Sequence, residues 1–155
     1  MNEADLIPIR PACGDDAATI VDFNCRLAWE TEQKQLDREV VARGVAAVLA
    51  DPRKARYFVA CDGDRPVGQL MHTWEWSDWR NGDIWWLQSV YVHPDYRGRG
   101  VFRQLFEHLR QQAEVDPAVV GLRLYVEQDN TTAQEVYTRL GMSAPGYRVL
   151  ELMPQ

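Results

Sequence analysis

The stretch Val90-Tyr91-Val92-His93-Pro94-Asp95-Tyr96-Arg97-Gly98-Arg99-Gly100-Val101-Phe102-Arg103-Gln104-Leu105 passes from a strand through a glycine-rich turn into a helix. Val90 and Val92 favour an extended, pleated backbone, and Pro94 has no N–H for a ladder, so the strand is predicted to end near His93. Gly98 and Gly100 admit backbone angles that other residues resist, and they leave the neighbouring amides uncovered. From there Val101, Phe102, Leu105, Phe106 and Leu109 recur at helical spacing. The positive end of a helix thus coincides with a run of free amides, and Arg97, Arg99 and Arg103 add charge. Such a turn suits a phosphate or diphosphate held mostly by backbone. A Gly-x-Gly pair alone also serves tight strand-to-helix turns that bind nothing.

Upstream, the chain supplies the sheet to which this turn belongs. Leu6-Ile7-Pro8-Ile9-Arg10 is a short apolar run broken by proline, as befits an edge strand. Asp15 and Asp16 open a helix with Ile20, Phe23 and Leu27 on one face, and a second helix is predicted over residues 36–49, ended by Asp51-Pro52. Trp29-Glu30-Thr31-Glu32 has no clear period and is expected to be a connecting loop. Tyr57-Phe58-Val59-Ala60-Cys61 and the run from Pro66 to Trp76 flank an Asp-Gly turn, and Asn81-Gly82 repeats the hairpin signal before a strand over residues 84–92. Trp74, Trp76, Trp79, Trp85 and Trp86 all fall on this second hairpin, where core and cross-strand packing is the expected fate of most.

Downstream, the helix runs from Val101 to about Val115 and is broken by Asp116-Pro117. Residues 121–127 then alternate as a strand, so strand, helix and strand form a parallel crossover. Asp129-Asn130-Thr131-Thr132 offers N-caps for a helix bearing Ala133, Val136, Tyr137 and Leu140, which Gly141 stops. Residues 147–152 are expected to be a last strand.

The chain has 155 residues, enough for one domain with a real core. Its net charge of −6 argues against general nucleic-acid binding, which needs a basic face, and mildly favours cationic or neutral substrates. Apolar runs are short and Met1-Asn2-Glu3-Ala4-Asp5 is acidic, so neither a membrane span nor a signal peptide is expected, and the cytoplasm is the predicted compartment. Cys13, Cys25 and Cys61 lack any paired spacing, and His72, His93 and His108 form no ligand pattern, so no metal is predicted.

The Arg97-x-x-Gly100 turn after a strand, the helix behind it, and Asn130 with the Tyr137-Thr138-Arg139-Leu140-Gly141 ending together resemble the GNAT superfamily of acyl-CoA N-acyltransferases. The likeness is specific over residues 87–142 and holds by element order over the whole chain. It implies an α/β fold in a single domain over residues 1–155. That fold is a GNAT-like mixed, mostly antiparallel sheet with a splayed parallel strand pair and about four helices.

The resemblance implies acetyl-CoA as acyl donor. Its pyrophosphate would lie on the amides of Arg97, Gly98, Arg99, Gly100, Val101 and Phe102, and its pantetheine arm along Val90 and Val92. A strand amide near Val90 would hold the carbonyl oxygen as charge develops. Asn130 matches a position that contacts the pantetheine or neighbouring cofactor, with a plain helix N-cap as the alternative. Tyr137 matches the tyrosine that protonates the departing thiolate, with core packing against Ala133 and Leu140 as the alternative. Two departures stand out. Phe102 occupies a position where the family commonly has a small residue, so its side chain must turn away. Gln88 and Ser89 stand where the polyamine-acetylating branch has two acids, which leaves water, Glu75, Glu127 or bulk solvent to take the amine proton.

The function expected is transfer of an acetyl group to a primary amine of a small cationic molecule, polyamine-like or an aminoglycoside, directly in a ternary complex. The alternative is a non-catalytic acyl-CoA-binding or sensing module. A nucleotide-binding protein is disfavoured because no Gly-Lys-Ser/Thr follows the turn. The resemblance also suggests a homodimer, through the tryptophan hairpin or the last strand.

Overall fold

The computed structural model describes residues 6–154; the acidic run Met1-Asn2-Glu3-Ala4-Asp5 lies outside the described residues. By its contacts the chain divides into two compact units, Met1–Leu124 and Tyr125–Gln155.

The first unit holds one five-stranded sheet in sequence order, built from β1 (Ile9–Pro11), β2 (Arg56–Asp62), β3 (Arg65–Ser77), β4 (Gly82–Val92) and β5 (Val119–Leu124). The first four strands run antiparallel to their neighbours, and β4 and β5 pair in parallel. Three helices cover the sheet: α1 (Ala17–Glu32), α2 (Arg38–Ala50) and α3 (Val101–Val115). Successive side chains of a strand point to opposite faces. Tyr57 accordingly packs with Ile20 and Val21 of α1 and Val45 of α2, while its neighbour Phe58 meets His108 of α3 edge-on at 5.0 Å. Helices therefore lie on both faces, and the strands between them are buried; Val59, Ala60, Val67 and Leu70 are fully so.

Local chemistry explains most boundaries. Asp37 caps α2 through its carboxylate, which accepts from the amides of Glu39 and Val40. Gly63 at φ 59° closes the β2–β3 hairpin and Asn81 at φ 50° the β3–β4 hairpin. At Gly82 a Cβ would lie 2.3 Å from Val120 and 2.8 Å from the Ala118 carbonyl oxygen, so only glycine lets β5 begin beside β4. Arg10 donates twice to the buried Asp16 carboxylate, at 2.7 and 2.9 Å, and Asp16 also accepts from the Cys13 amide. That pair ties β1 to the start of α1 and holds the Asp16 carboxyl below the usual carboxylate range.

The second unit contains α4 (Thr131–Arg139), ended by Gly141 at φ 95°. Met142 donates to the Tyr137 carbonyl and Gly141 to that of Thr138, closing the helix as glycine-terminated helices do.

Four expectations are corrected. The edge strand occupies Ile9–Pro11 rather than residues 6–10, because pairing with β2 starts at Ile9↔Ala60. Residues 29–32 are helical: α1 continues until Gln33 takes a left-handed conformation at φ 52°. The fifth strand is Val119–Leu124 rather than residues 121–127, since its ladder with β4 ends at Leu87↔Leu124. Residues 147–152 form no strand, and Leu150 and Leu152 are 93% and 99% exposed. Alternating apolar residues make a strand only where a ladder partner is present. The expected packing holds for Trp85, which is buried and faces the half-buried Trp74 across the ladder, and for half-buried Trp86, while Trp76 and Trp79 stand in solvent near the hairpin tip.

His72 is wholly buried, stacked 4.1 Å from Trp85 and edge-on to Trp74, and neither ring nitrogen has a hydrogen-bond partner. Burial, with the Arg56 cation nearby, pushes its pKa down from 6.5 to about 4. Between those values the unfolded chain binds a proton that the folded chain refuses. Stability should therefore fall as pH drops through this window, by about 3 kcal/mol in all. Urea unfolding from pH 7 to 4 should show this slope in the wild type, and His72→Phe should flatten it.

Candidate active site

The site begins where two ladders fail. β4 and β5 pair only from Asp83↔Val119 to Leu87↔Leu124, and β4 then runs on through Gln88 to Val92 without that neighbour. On its other side, Met71 pairs with Gln88 and Gln69 with Tyr91, so Ser89 and Val90 together oppose the single residue Leu70. This is a bulge, and Ser89 carries it at φ 52°. Val90 consequently has no strand partner in either register. Such a backbone amide is the kind of preorganised donor that can stabilise a developing oxyanion.

Beyond Val92 the chain makes a short 3-10 turn, Pro94–Tyr96, in which the His93 imidazole accepts from the Asp95 amide. The β2–β3 hairpin braces this turn: the Tyr96 hydroxyl donates to Asp62, and Arg65 lies 3.2 Å from the His93 ring nitrogen. Gly98 and Gly100 follow at φ 74° and 78°, angles that a side chain resists. Gly100 is the N-cap of α3 and offers no capping side chain to that helix. The first-turn amides and the helix dipole form an anion cradle. Val101 anchors the helix start from below, since a Cβ at Gly68 would come within 3.0 Å of it. Phe102 is half-buried, its ring 6.2 Å from that of Phe106 one turn along α3.

The three arginines of this region differ in their commitments. Arg97 donates through Nε to the Val92 carbonyl at 2.9 Å, and its guanidinium pairs with both Glu30 oxygens at 3.1 and 3.2 Å. It therefore fastens the turn to the last part of α1. Arg99 lies over the Tyr96 ring at 4.8 Å, and Arg103 is exposed on the first turn of α3. Glu30 stands in the stretch expected as a loop, which is the last turn of α1. The signal that would have found it is the spacing of Asp22, Arg26 and Glu30, which is helical.

Of the residues considered as proton acceptors, Glu75 is held by Arg123 at 2.8 Å, a bond from β3 across to β5. Gln88 donates to the Thr73 hydroxyl at 2.9 Å. Tyr91 is buried against Phe23 of α1, and burial pushes its phenol up. Among the described residues no group of three potential metal ligands occurs.

Val90, Val92, Arg97, Gly98, Arg99, Gly100, Val101 and Phe102 thus form one continuous edge of the first unit. Asn130 and Tyr137 belong to the second unit. There Asn130 caps α4, its side chain accepting from the Ala133 amide at 3.1 Å. Tyr137 sits half-buried on the same helix, and burial raises its pKa, which keeps the phenol protonated.

Residues 21–142 match the Acetyltransferase (GNAT) family, and the chain belongs to it. It is similar to the crystal structure of a possible acetyltransferase from Clostridium difficile, with 46% identity, TM-score 0.91, and coverage of 97% of this chain and 99% of that one. It is 32% identical over 123 residues to mycothiol acetyltransferase from Corynebacterium aurimucosum, matching 77% of this chain and 40% of that protein. A thialysine N-epsilon-acetyltransferase from Bos taurus is 30% identical over 63% of this chain and 52% of its own length. The chain spans less than half of the mycothiol acetyltransferase it matches.

Glu30→Gln should lower stability by less than about 1 kcal/mol, because the ion pair is half exposed. It also leaves the Arg97 charge uncompensated beside the cradle. Inorganic pyrophosphate, titrated by calorimetry, should bind the variant more tightly than the wild type.

Proposed function

We propose that this chain is an N-acetyltransferase that moves an acetyl group from acetyl-CoA to a primary amine of a small cationic molecule, directly and without an acyl-enzyme. The observation that carries this is the anion cradle at Gly98 to Val101, set at the end of a strand whose parallel ladder has stopped five residues earlier. Membership of the acetyltransferase family supports it. The match over residues 21–142 spans both units and supports one functional domain. The net charge of −6 supports a cationic acceptor, and the names of the relatives point to small amines such as thialysine. The cytoplasm is the compartment assigned.

Acetyl-CoA supplies an acetyl thioester, which is activated toward an amine. The amides from Arg97 to Phe102 hold its diphosphate, and Val90 and Val92 offer the strand edge along which its arm lies. As the amine nitrogen bonds the carbonyl carbon, the Val90 amide donates to the oxygen that gains negative charge. The carbon–sulfur bond then breaks and Tyr137 gives its proton to the departing sulfur. An ordinary phenol at about 10 is a weaker acid than a thiol at about 8.5, and burial raises Tyr137 further, so this transfer runs uphill and is completed when the phenolate recovers a proton released from the acylated nitrogen. The ammonium proton passes to water or to Glu127, because Glu75 is engaged by Arg123 and Gln88 is no base. Proximity of well-oriented partners carries the remaining demand. Asn130 contacts the donor while serving as the helix cap.

The competing function is a binding or sensing module. What favours it is that Gln88 is tied to Thr73 and Ser89 is spent on the bulge, so neither takes a proton.

Calorimetry should show acetyl-CoA binding to the wild type and none to Gly100→Asp, whose carboxylate and backbone strain both oppose the anion. Absence of wild-type binding would refute the function. With a panel of amines and thiol release as readout, Tyr137→Phe should keep donor affinity and lose about a hundredfold in kcat. Binding with no turnover on any amine would leave the sensing module instead.

A further inference from the structure

We infer that Gln69, on the strand opposite the bulge, is a positioning residue that sets the orientation of the Val90 amide. The inference rests on the acyl-transfer function proposed above. Gln69 is completely buried on β3 and directly opposite Tyr91. Its Nε2 donates to two acceptors at once, the Ser89 carbonyl at 3.0 Å and the Asn24 Oδ1 of α1 at 2.8 Å. Asn24 in turn donates to the Tyr57 hydroxyl at 3.1 Å. Both acceptors need a hydrogen, so the amide orientation is fixed: nitrogen faces the bulge and Oε1 faces away, buried and without a partner.

The Ser89–Val90 peptide is the group being held. The Ser89 carbonyl and the Val90 N–H belong to the same planar unit and point in opposite directions. Gripping the oxygen from the α1 side therefore aims the hydrogen. Ser89 is not glycine, and its left-handed backbone costs about 1 kcal/mol or more unless something holds it. The Gln69 bond offsets that cost. A buried carboxamide with its oxygen left unpaired carries a cost of its own, which partly cancels what its two donated bonds contribute. Its presence makes sense as a device for direction as well as for stability.

The test uses Gln69→Met, which keeps volume and removes the donor, with Gln69→Glu as a second variant should methionine fold poorly. Val45→Ala, in the core beneath α2, serves as a control for general destabilisation. Two readouts are taken: steady-state kinetics with acetyl-CoA and the best amine, and the backbone resonances of Ser89 and Val90 by NMR in the free protein. The expected result is a fall in kcat of about thirtyfold with KM for acetyl-CoA within twofold, together with displaced Ser89 and Val90 resonances. Val45→Ala should lower the melting temperature and change neither. Unchanged resonances overturn the inference, as does an unchanged kcat when the resonances move. A wild type that binds acetyl-CoA but acetylates nothing refutes the acyl-transfer function instead, and the resonances still decide whether Gln69 holds the peptide.

Discussion

The structure depends on a parallel ladder that is pinned at one end and released at the other. Gly82 allows β5 to close upon β4 where a side chain would collide with Val120 and Ala118. Five register pairs later, at Leu87↔Leu124, the strands stop sharing hydrogen bonds. Backbone groups normally continue such pairing as far as sequence allows, because an unpaired buried amide is costly. Here the remaining half of β4 relies on β3 alone, and that ladder is interrupted by the bulge at Ser89. The polar groups set free are concentrated at one place, next to the glycine cradle. Of the two features of the proposed chemistry, the oxyanion donor follows from this strand pairing, while the anion site comes from the glycine turn into α3 that lies beside it.

The parts of this arrangement that were legible in the sequence are those written in local chemistry. Gly98, Gly100 and the apolar stripe from Val101 locate the cradle and its helix, which occupies Val101–Val115 as the spacing predicts. Asp62-Gly63 and Asn81-Gly82 locate two hairpins because their turns need left-handed residues. The illegible parts depend on partners distant in sequence. Nothing local marks Ser89 as left-handed, since serine has no preference for that conformation and its carbonyl is held from Gln69, twenty residues away. The end of α1 was misplaced because Gln33 stops it without glycine or proline. Residues 147–152 have the alternation of a strand, but alternation is a statement about faces and carries no information on whether a partner exists.

Polar burial is used sparingly and with distinct consequences. Asp16 is buried as an ion and satisfied by Arg10 and the Cys13 amide, so it ties elements together. His72 is buried neutral between aromatic rings, where it acts as a flat apolar plate. Gln69 lies between these cases, with its donor used twice and its acceptor not at all. A group satisfied on one side only is directional, which is a property packing alone cannot give.

The Arg97–Glu30 pair has a kinetic consequence. Since Glu30 cancels the charge of Arg97, a polyanionic donor at the proposed cradle would be drawn by Arg99, Arg103 and backbone dipoles, all effective at short range. At longer range the donor meets a protein of net charge −6, whose field repels it. Encounter is thus slowed rather than steered, and residence is where the affinity arises. Salt screens the distant field within roughly 10 Å and reaches the near contacts less, so moderate ionic strength quickens arrival more than it hastens departure. On the proposed function, the protein would hold a charged donor that it does not call in from afar.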